Sequence, residues 1–78
     1  MEIAVLGGGN GAYATAADLA LHGHAVRWWR RDGKAFGPVL QDKMITLVDG
    51  DGRHQARIAL PTTNLVEAVS GGEVVIVP

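Results

Sequence analysis

The feature that most constrains the fold of this 78-residue chain is a run of glycines between a short apolar segment and an alanine-rich one. Residues 3–6 read IAVL, an unbroken apolar run typical of a strand that is buried on both faces of a parallel sheet. Residues 12–23 read AYATAADLALHG, which puts small side chains on one helical face and Gly23 where a helix C-cap belongs. The glycines therefore join a buried strand to a helix.

A second strand is predicted over residues 24–30, HAVRWWR, which the breaker RDG ends. Strand, glycine turn, helix and strand make one βαβ unit, whose right-handed crossover places the two strands parallel and adjacent. Trp28 and Trp29 then point to opposite faces of the second strand, and we expect both to pack in the core or against helices.

The middle of the chain predicts an insertion. Residues 34–44, KAFGPVLQDKM, are interpreted as irregular chain that includes at most a short helix. In residues 45–60 two alternating runs flank DGDG, which predicts a β-hairpin with an Asp-Gly turn. We expect the second arm of this hairpin to join the main sheet and to be stopped by Pro61.

The C-terminal part predicts one more helix and one more strand. Asn64 followed by Glu67 resembles a capping box that opens a short helix through about Ser70. Residues 74–77 form a last apolar strand, predicted to be buried. The predicted fold is α/β, the N-terminal half of a Rossmann-like doubly wound parallel sheet with a β-hairpin insertion.

The glycine turn carries the clearest chemistry. Gly7, Gly9 and Ala12 spell G-x-G-x-x-A, in which the first glycine permits the tight turn, the second lets a pyrophosphate approach and the alanine keeps helix and strand close. Free amides and the positive dipole end of the helix favour phosphate there. A turn needed for geometry alone is the alternative, but three glycines cost backbone entropy. The predicted phosphate-binding residues are Gly7, Gly8, Gly9, Asn10, Gly11 and Ala12.

The adenosine end of such a ligand depends on where the second strand stops. A carboxylate that binds the ribose is expected ~20 residues past the motif, near Asp32, and would select NAD. A strand of ~6 residues ends at Trp29 or Arg30 instead, so that Arg30 would take the ribose position and pair with the 2′-phosphate of NADP. Arg31 could stack on adenine with either cofactor. The alternative for Arg30 and Arg31 is a pair of solvated loop residues, which we expect to hold for one of the two. We favour NADP over NAD.

Composition narrows the remaining options. The chain has no cysteine, which excludes thiol redox chemistry and zinc-thiolate sites, and its net charge of −1 argues against a nucleic-acid surface. The apolar run at the N-terminus is too short for a signal or membrane segment, so we expect a cytoplasmic protein without membrane partners. The histidines lack metal-ligand spacing and the DGDG turn lacks the other ligands of a calcium loop, so no metal site is predicted.

Residues 3–32 and 62–78 resemble the N-terminal cofactor-binding segment of the opine dehydrogenase family, the octopine and nopaline dehydrogenases. The GGGNGA turn is the most telling match. NAD(P)-dependent glycerol-3-phosphate dehydrogenases are the next most similar, although they usually carry a bulky aromatic near Gly11 and a glycine at the position of Ala12. Ketopantoate reductases come third.

The resemblance implies NAD(P)H-dependent reduction of the imine that an amino acid forms with a 2-oxo acid. It implies that Arg30 and Arg31 lie at the adenosine end of the cofactor and that Val77 and Pro78 approach its nicotinamide side. Catalytic residues of the family belong mostly to a helical C-terminal domain, so residues 1–78 would be a partial dinucleotide-binding domain without the substrate domain, and no catalytic residue is assigned.

Two other possibilities stay open at this point. The chain could be a stand-alone nucleotide-binding module without hydride chemistry. Its half-sheet could also be completed by a second copy that pairs through the uncovered final strand, which would make a homo-oligomer.

Overall fold

The computed structural model describes residues 1–34 and 36–78, and these residues form six strands and three helices. Ala35, in the stretch predicted to be irregular, lies outside the described residues. None of the described helices is long and apolar enough to cross a membrane. In chain order the elements are β1 (Glu2–Leu6), α1 (Asn10–Leu21), β2 (Ala25–Trp29), α2 (Gly37–Asp42), β3 (Met44–Asp49), β4 (Gly52–Arg57), β5 (Leu60–Thr62), α3 (Leu65–Ser70) and β6 (Val74–Ile76).

The main sheet confirms the predicted fold class. It has four parallel strands in the order β5-β2-β1-β6, while β3 and β4 form a separate antiparallel hairpin. From β1 the chain moves to β2 and then to β5 on one side, and it returns through α3 to place β6 on the other side of β1. The strand order thus reverses at β1, and in open α/β sheets ligands bind outside the carboxyl ends of the strands at such a reversal.

Side chains alternate between the two faces of the sheet along β2, and a helix covers each face. Trp28 is fully buried on the face of α1, where its ring makes an edge contact with Tyr13. The neighbouring Arg27 points to the opposite face and donates hydrogen bonds to the carbonyls of Glu67 and Ala68 in α3. Trp29, on that opposite face, is only half-buried, and its indole N–H donates to the carbonyl of Thr63 at 2.9 Å.

The first helix ends as its sequence predicts. Gly23 follows the last turn of α1 with a φ of 87°, in the region that favours glycine. The N–H of Gly23 donates to the Ala20 carbonyl and that of His24 to the Leu19 carbonyl, which is the Schellman pattern. Ala12 and Ala16 are buried against the sheet, so the small residues of α1 allow close packing.

The hairpin prediction is correct in its turn but wrong in its second arm. The strand β4 pairs with β3 and ends at Arg57, and it does not join the main sheet. At Ile58 the chain turns inward, where its N–H donates to the Lys43 carbonyl at 2.7 Å and its side chain enters the core. The hairpin instead packs on α1, where the Tyr13 hydroxyl donates to the Thr46 carbonyl and accepts from the Thr46 N–H.

The role predicted for Pro61 is also wrong, because Pro61 lies inside β5, buried, opposite Trp28. Proline is tolerated there because β5 is an edge strand, paired among the described residues with β2 alone, so the missing N–H interrupts no ladder. The last strand β6 is shorter than predicted and forms the other edge of the sheet. Its Val74 and Val75 are exposed rather than buried, since within the described part of the chain β6 has a neighbouring strand, β1, on one side and none on the other.

Candidate functional site

The glycine turn lies at the carboxyl end of β1 and is fixed by β2. The N–H of Gly7 donates to the Trp29 carbonyl at 2.8 Å, which extends the ladder by one bond beyond Leu6. The carbonyl of Gly7 accepts a hydrogen bond from the indole Nε1 of Trp28 at 2.9 Å. With a φ of 129°, Gly7 has a conformation that other residues rarely adopt, so the turn requires glycine there.

The start of α1 is formed by Gly9, whose φ of 95° and ψ of 175° are confined to glycine. None of the described side chains caps this helix end, and the first bond of the helix runs from the Tyr13 N–H to the Gly9 carbonyl at 3.1 Å. The backbone amides of residues 10–12 therefore lack helical acceptors and add to the positive end of the helix dipole.

The surface above the turn is open. A Cβ added to Gly7 or Gly9 would meet no described atom within 4 Å, and Gly8, Gly9 and Gly11 are exposed. Ala12 is buried at 2% exposure, so this position of the motif packs helix against sheet as predicted. The described residues enclose no cavity here, and the turn is part of an open surface.

Arg30 lies directly beside the turn. Because β2 ends at Trp29, Arg30 is the first residue after the strand, and its N–H donates to the Thr62 carbonyl at 3.2 Å. A Cβ added to Gly8 would lie 2.8 Å from the guanidinium Nε, so this cation rests against the glycine backbone. The Cζ atom also lies 5.5 Å from the ring centroid of Phe36, a cation–π distance. A fixed cation and a helix N-terminus thus border one surface.

Asp32 lies beyond the strand, in the following loop. Its carboxylate accepts a hydrogen bond from the Lys34 N–H at 2.9 Å, and its carbonyl accepts from the Phe36 N–H at 3.2 Å. The carboxylate thus helps to close its own turn. Arg31 is exposed in the same loop. Of the three residues proposed for the adenosine end, the described contacts place Arg30 against the glycine turn.

The end of β6 approaches the start of α1 from the other side. A Cβ added to Gly11 would lie 3.9 Å from the Cβ of Pro78, and Val77 and Pro78 are exposed. The glycine turn is therefore flanked by Arg30 on the β2 side and by Pro78 on the β6 side. This part of the surface lies at β1, where the strand order reverses.

Two aromatic residues behind the turn were missed by sequence reasoning as contributors to the site. The rings of Trp28 and Phe36 contact each other edge to face, with centroids 4.9 Å apart, and link Gly7 to Arg30. The role of Trp28 could have been predicted, because the N–H of an indole in a buried strand needs an acceptor. The turn after the preceding strand offers backbone carbonyls for it. No local pattern pointed to Phe36.

A scan against models of known protein families finds no match to this chain, and a search among curated proteins finds none either. Within the described residues, no group of three or more histidine, aspartate or glutamate side chains could hold a metal ion. His22 lies near Asp18 on the exposed side of α1, away from the turn. What the structure shows is a small α/β domain, Rossmann-like in part, whose fold is consistent with nucleotide binding.

Proposed function

We propose that this chain is the NAD(P)-binding portion of an oxidoreductase, with the pyrophosphate of the cofactor on residues 7–12. The observation that carries the proposal is the glycine turn at the reversal of strand order, with Gly7 and Gly9 in conformations that only glycine tolerates. Glycine adopts such conformations without steric cost, and it is the residue found where the backbone turns tightly or approaches a ligand closely. An uncapped helix start that follows the turn supports an anionic ligand.

Arg30 favours NADP over NAD. Its guanidinium lies beside Gly8 at the end of β2, where the adenosine ribose of a bound dinucleotide is expected. Guanidinium pairs bidentately with phosphate oxygens, so Arg30 is suited to the 2′-phosphate. Asp32 is a weaker candidate for the ribose hydroxyls, since its carboxylate accepts the Lys34 N–H within its own loop.

For the reaction, we propose the reduction of an imine formed by an amino acid and a 2-oxo acid, as in opine dehydrogenases. The support is the resemblance of residues 3–32 and 62–78 to that family, and above all the GGGNGA turn. The hydride would come from the bound nicotinamide cofactor. The residues of this chain would bind and orient it, with Val77 and Pro78 toward the nicotinamide end.

The test is calorimetric titration of the chain with NADPH and with NADH, repeated on Arg30→Ala and on Arg31→Ala as the matched control. Losing one charge-assisted phosphate contact costs about 1.5–3 kcal/mol, so Arg30→Ala should weaken NADPH binding by about tenfold or more and leave NADH binding nearly unchanged. Arg31→Ala, which removes an exposed arginine one residue along, should have a smaller effect.

Failure to bind either dinucleotide would refute the proposed function. Equal affinities for NADPH and NADH in the wild-type chain would refute only the preference for NADP. An equal loss of NADPH affinity in both arginine variants would show that Arg30 contributes no more to NADPH binding than Arg31 does.

A further inference from the structure

The side chain of Trp28 donates a hydrogen bond to the glycine turn that is not part of the regular pairing of the sheet. In regular parallel pairing, a residue whose N–H donates to the Trp29 carbonyl uses its own carbonyl to accept from the N–H of residue 31. At Gly7 this second bond is replaced, because the carbonyl accepts from the indole Nε1 of Trp28 at 2.9 Å. The regular hydrogen bonding between β1 and β2 therefore ends at Gly7. After Trp29 this bonding no longer ties the chain to β1.

We propose that Trp28 is a positioning residue for pyrophosphate binding, acting through the carbonyl of Gly7. The inference rests on the proposed function. The two peptide groups that flank the Cα of Gly7 are held by β2, one through the Trp29 carbonyl and the other through the Trp28 indole. Together these bonds set the φ of 129° at Gly7 and so determine the direction in which the next glycines and the first amides of α1 point.

The indole is itself rigidly placed. Trp28 has no exposed surface, and its ring is held edge to face between Tyr13, at a centroid distance of 5.7 Å, and Phe36, at 4.9 Å. An indole N–H is a donor only, so once buried it has a strong preference for its single acceptor. A phenylalanine at this position keeps an aromatic ring between the same two neighbours and removes the donor.

The chain offers a matched control at the other end of the same aromatic group. The hydroxyl of Tyr13 exchanges two hydrogen bonds with the backbone of Thr46, at 2.7 and 2.8 Å, and these bonds hold the hairpin on α1. Tyr13→Phe removes them and retains the backbone hydrogen bond from the N–H of residue 13 to the Gly9 carbonyl. Both variants thus replace a hydrogen-bonding aromatic residue by phenylalanine in one packed group, but only Trp28→Phe reaches Gly7.

The experiment measures the affinity of ADP for the wild-type chain, Trp28→Phe and Tyr13→Phe, together with the urea midpoint of each. We expect Trp28→Phe to weaken ADP binding about fivefold, the loss of one neutral hydrogen bond. We expect Tyr13→Phe to lower the urea midpoint and leave ADP affinity unchanged. Adenosine 2′-monophosphate, which has no pyrophosphate, should bind all three proteins equally.

Equal ADP affinity in Trp28→Phe and the wild-type chain would overturn this inference alone, as would an equal loss in Tyr13→Phe. A wild-type chain that binds no ADP would overturn the proposed function and this inference together. Should Trp28→Phe not fold, the indole N–H resonance of Trp28 in the wild-type chain decides. It should shift on addition of ADP, and an unshifted resonance at saturating ADP overturns the inference.

Discussion

Replacing Gly9 with alanine separates the cost of the turn to folding from its value to a ligand. At a φ of 95° and a ψ of 175°, Gly9 occupies a backbone region that is essentially closed to other residues. Forcing alanine into it costs about 1–3 kcal/mol. A Cβ at this position meets no described atom within 4 Å, so clashes with other residues add nothing to this cost. We therefore expect Gly9→Ala to lower the free energy of unfolding by about 1–3 kcal/mol.

The effect on binding is a separate quantity. If the pyrophosphate lies against the exposed helix start, the new methyl group projects into the open space beside it, where it would collide with the phosphate. Displacing one charge-assisted bond to a phosphate oxygen costs about 1.5–3 kcal/mol. Affinity for ADP in Gly9→Ala should therefore fall by about tenfold or more, measured on protein that urea unfolding shows to be folded.

Gly23→Ala is the matched control for this prediction. Gly23 also has a positive φ, 87°, and open space where a Cβ would lie, but it follows the C-terminal end of α1. It should lower stability in the same way and leave ADP affinity unchanged. ADP binding by Gly9→Ala as tight as that of the wild-type chain, or an equal loss of ADP affinity in Gly23→Ala, would show that Gly9 has no specific role at the phosphate.

Three further substitutions each test the contacts of one side chain or one glycine. Gly8→Ala places a Cβ 2.8 Å from the Nε atom of Arg30, so the guanidinium must move and the preference for NADPH over NADH should fall with little loss of stability; an unchanged ratio in paired titrations would contradict this. Arg27→Met removes two hydrogen bonds to α3 carbonyls and should lower the free energy of unfolding by about 2–4 kcal/mol in urea, with ADP affinity retained. Asn64→Ala removes the side-chain cap that accepts the Glu67 N–H and should cost about 1 kcal/mol, with Asn64→Asp as the variant that retains it.

The βαβ unit could be predicted from sequence because its signals are local. The glycine turn, the small residues of α1 and Gly23 each specify backbone geometry within a few residues, and the structure has the helix and both strands where they were expected. The cap formed by Asn64 was readable for the same reason.

The assignments that failed depend on tertiary position. Pro61 is excluded from a central strand but accepted in an edge strand, and only the completed sheet shows that β5 is an edge. The break at Ile58 likewise follows from burial of its side chain in the core, which no alternating pattern reveals. The exposure of β6 follows from its place at the edge of the sheet that the structure describes.

The end of β2 was open for a related reason. Residues 24–30 are uniformly strand-like, so composition could not say whether Arg30 or Asp32 follows the last paired residue. The pairing settles the strand end at Trp29, opposite Leu6 on one side and Thr62 on the other. Which cofactor this arrangement prefers stays a prediction.

The most direct test of the central claim, that phosphate binds at the glycine turn, is an NMR titration of the ¹⁵N-labelled chain with NADP⁺. We expect the largest amide shifts in residues 7–12 and at Arg30, around the start of α1 and the end of β2. The amides of the β3–β4 hairpin turn should not move. Shifts confined to other surfaces, or no shifts at saturating ligand, would contradict this claim.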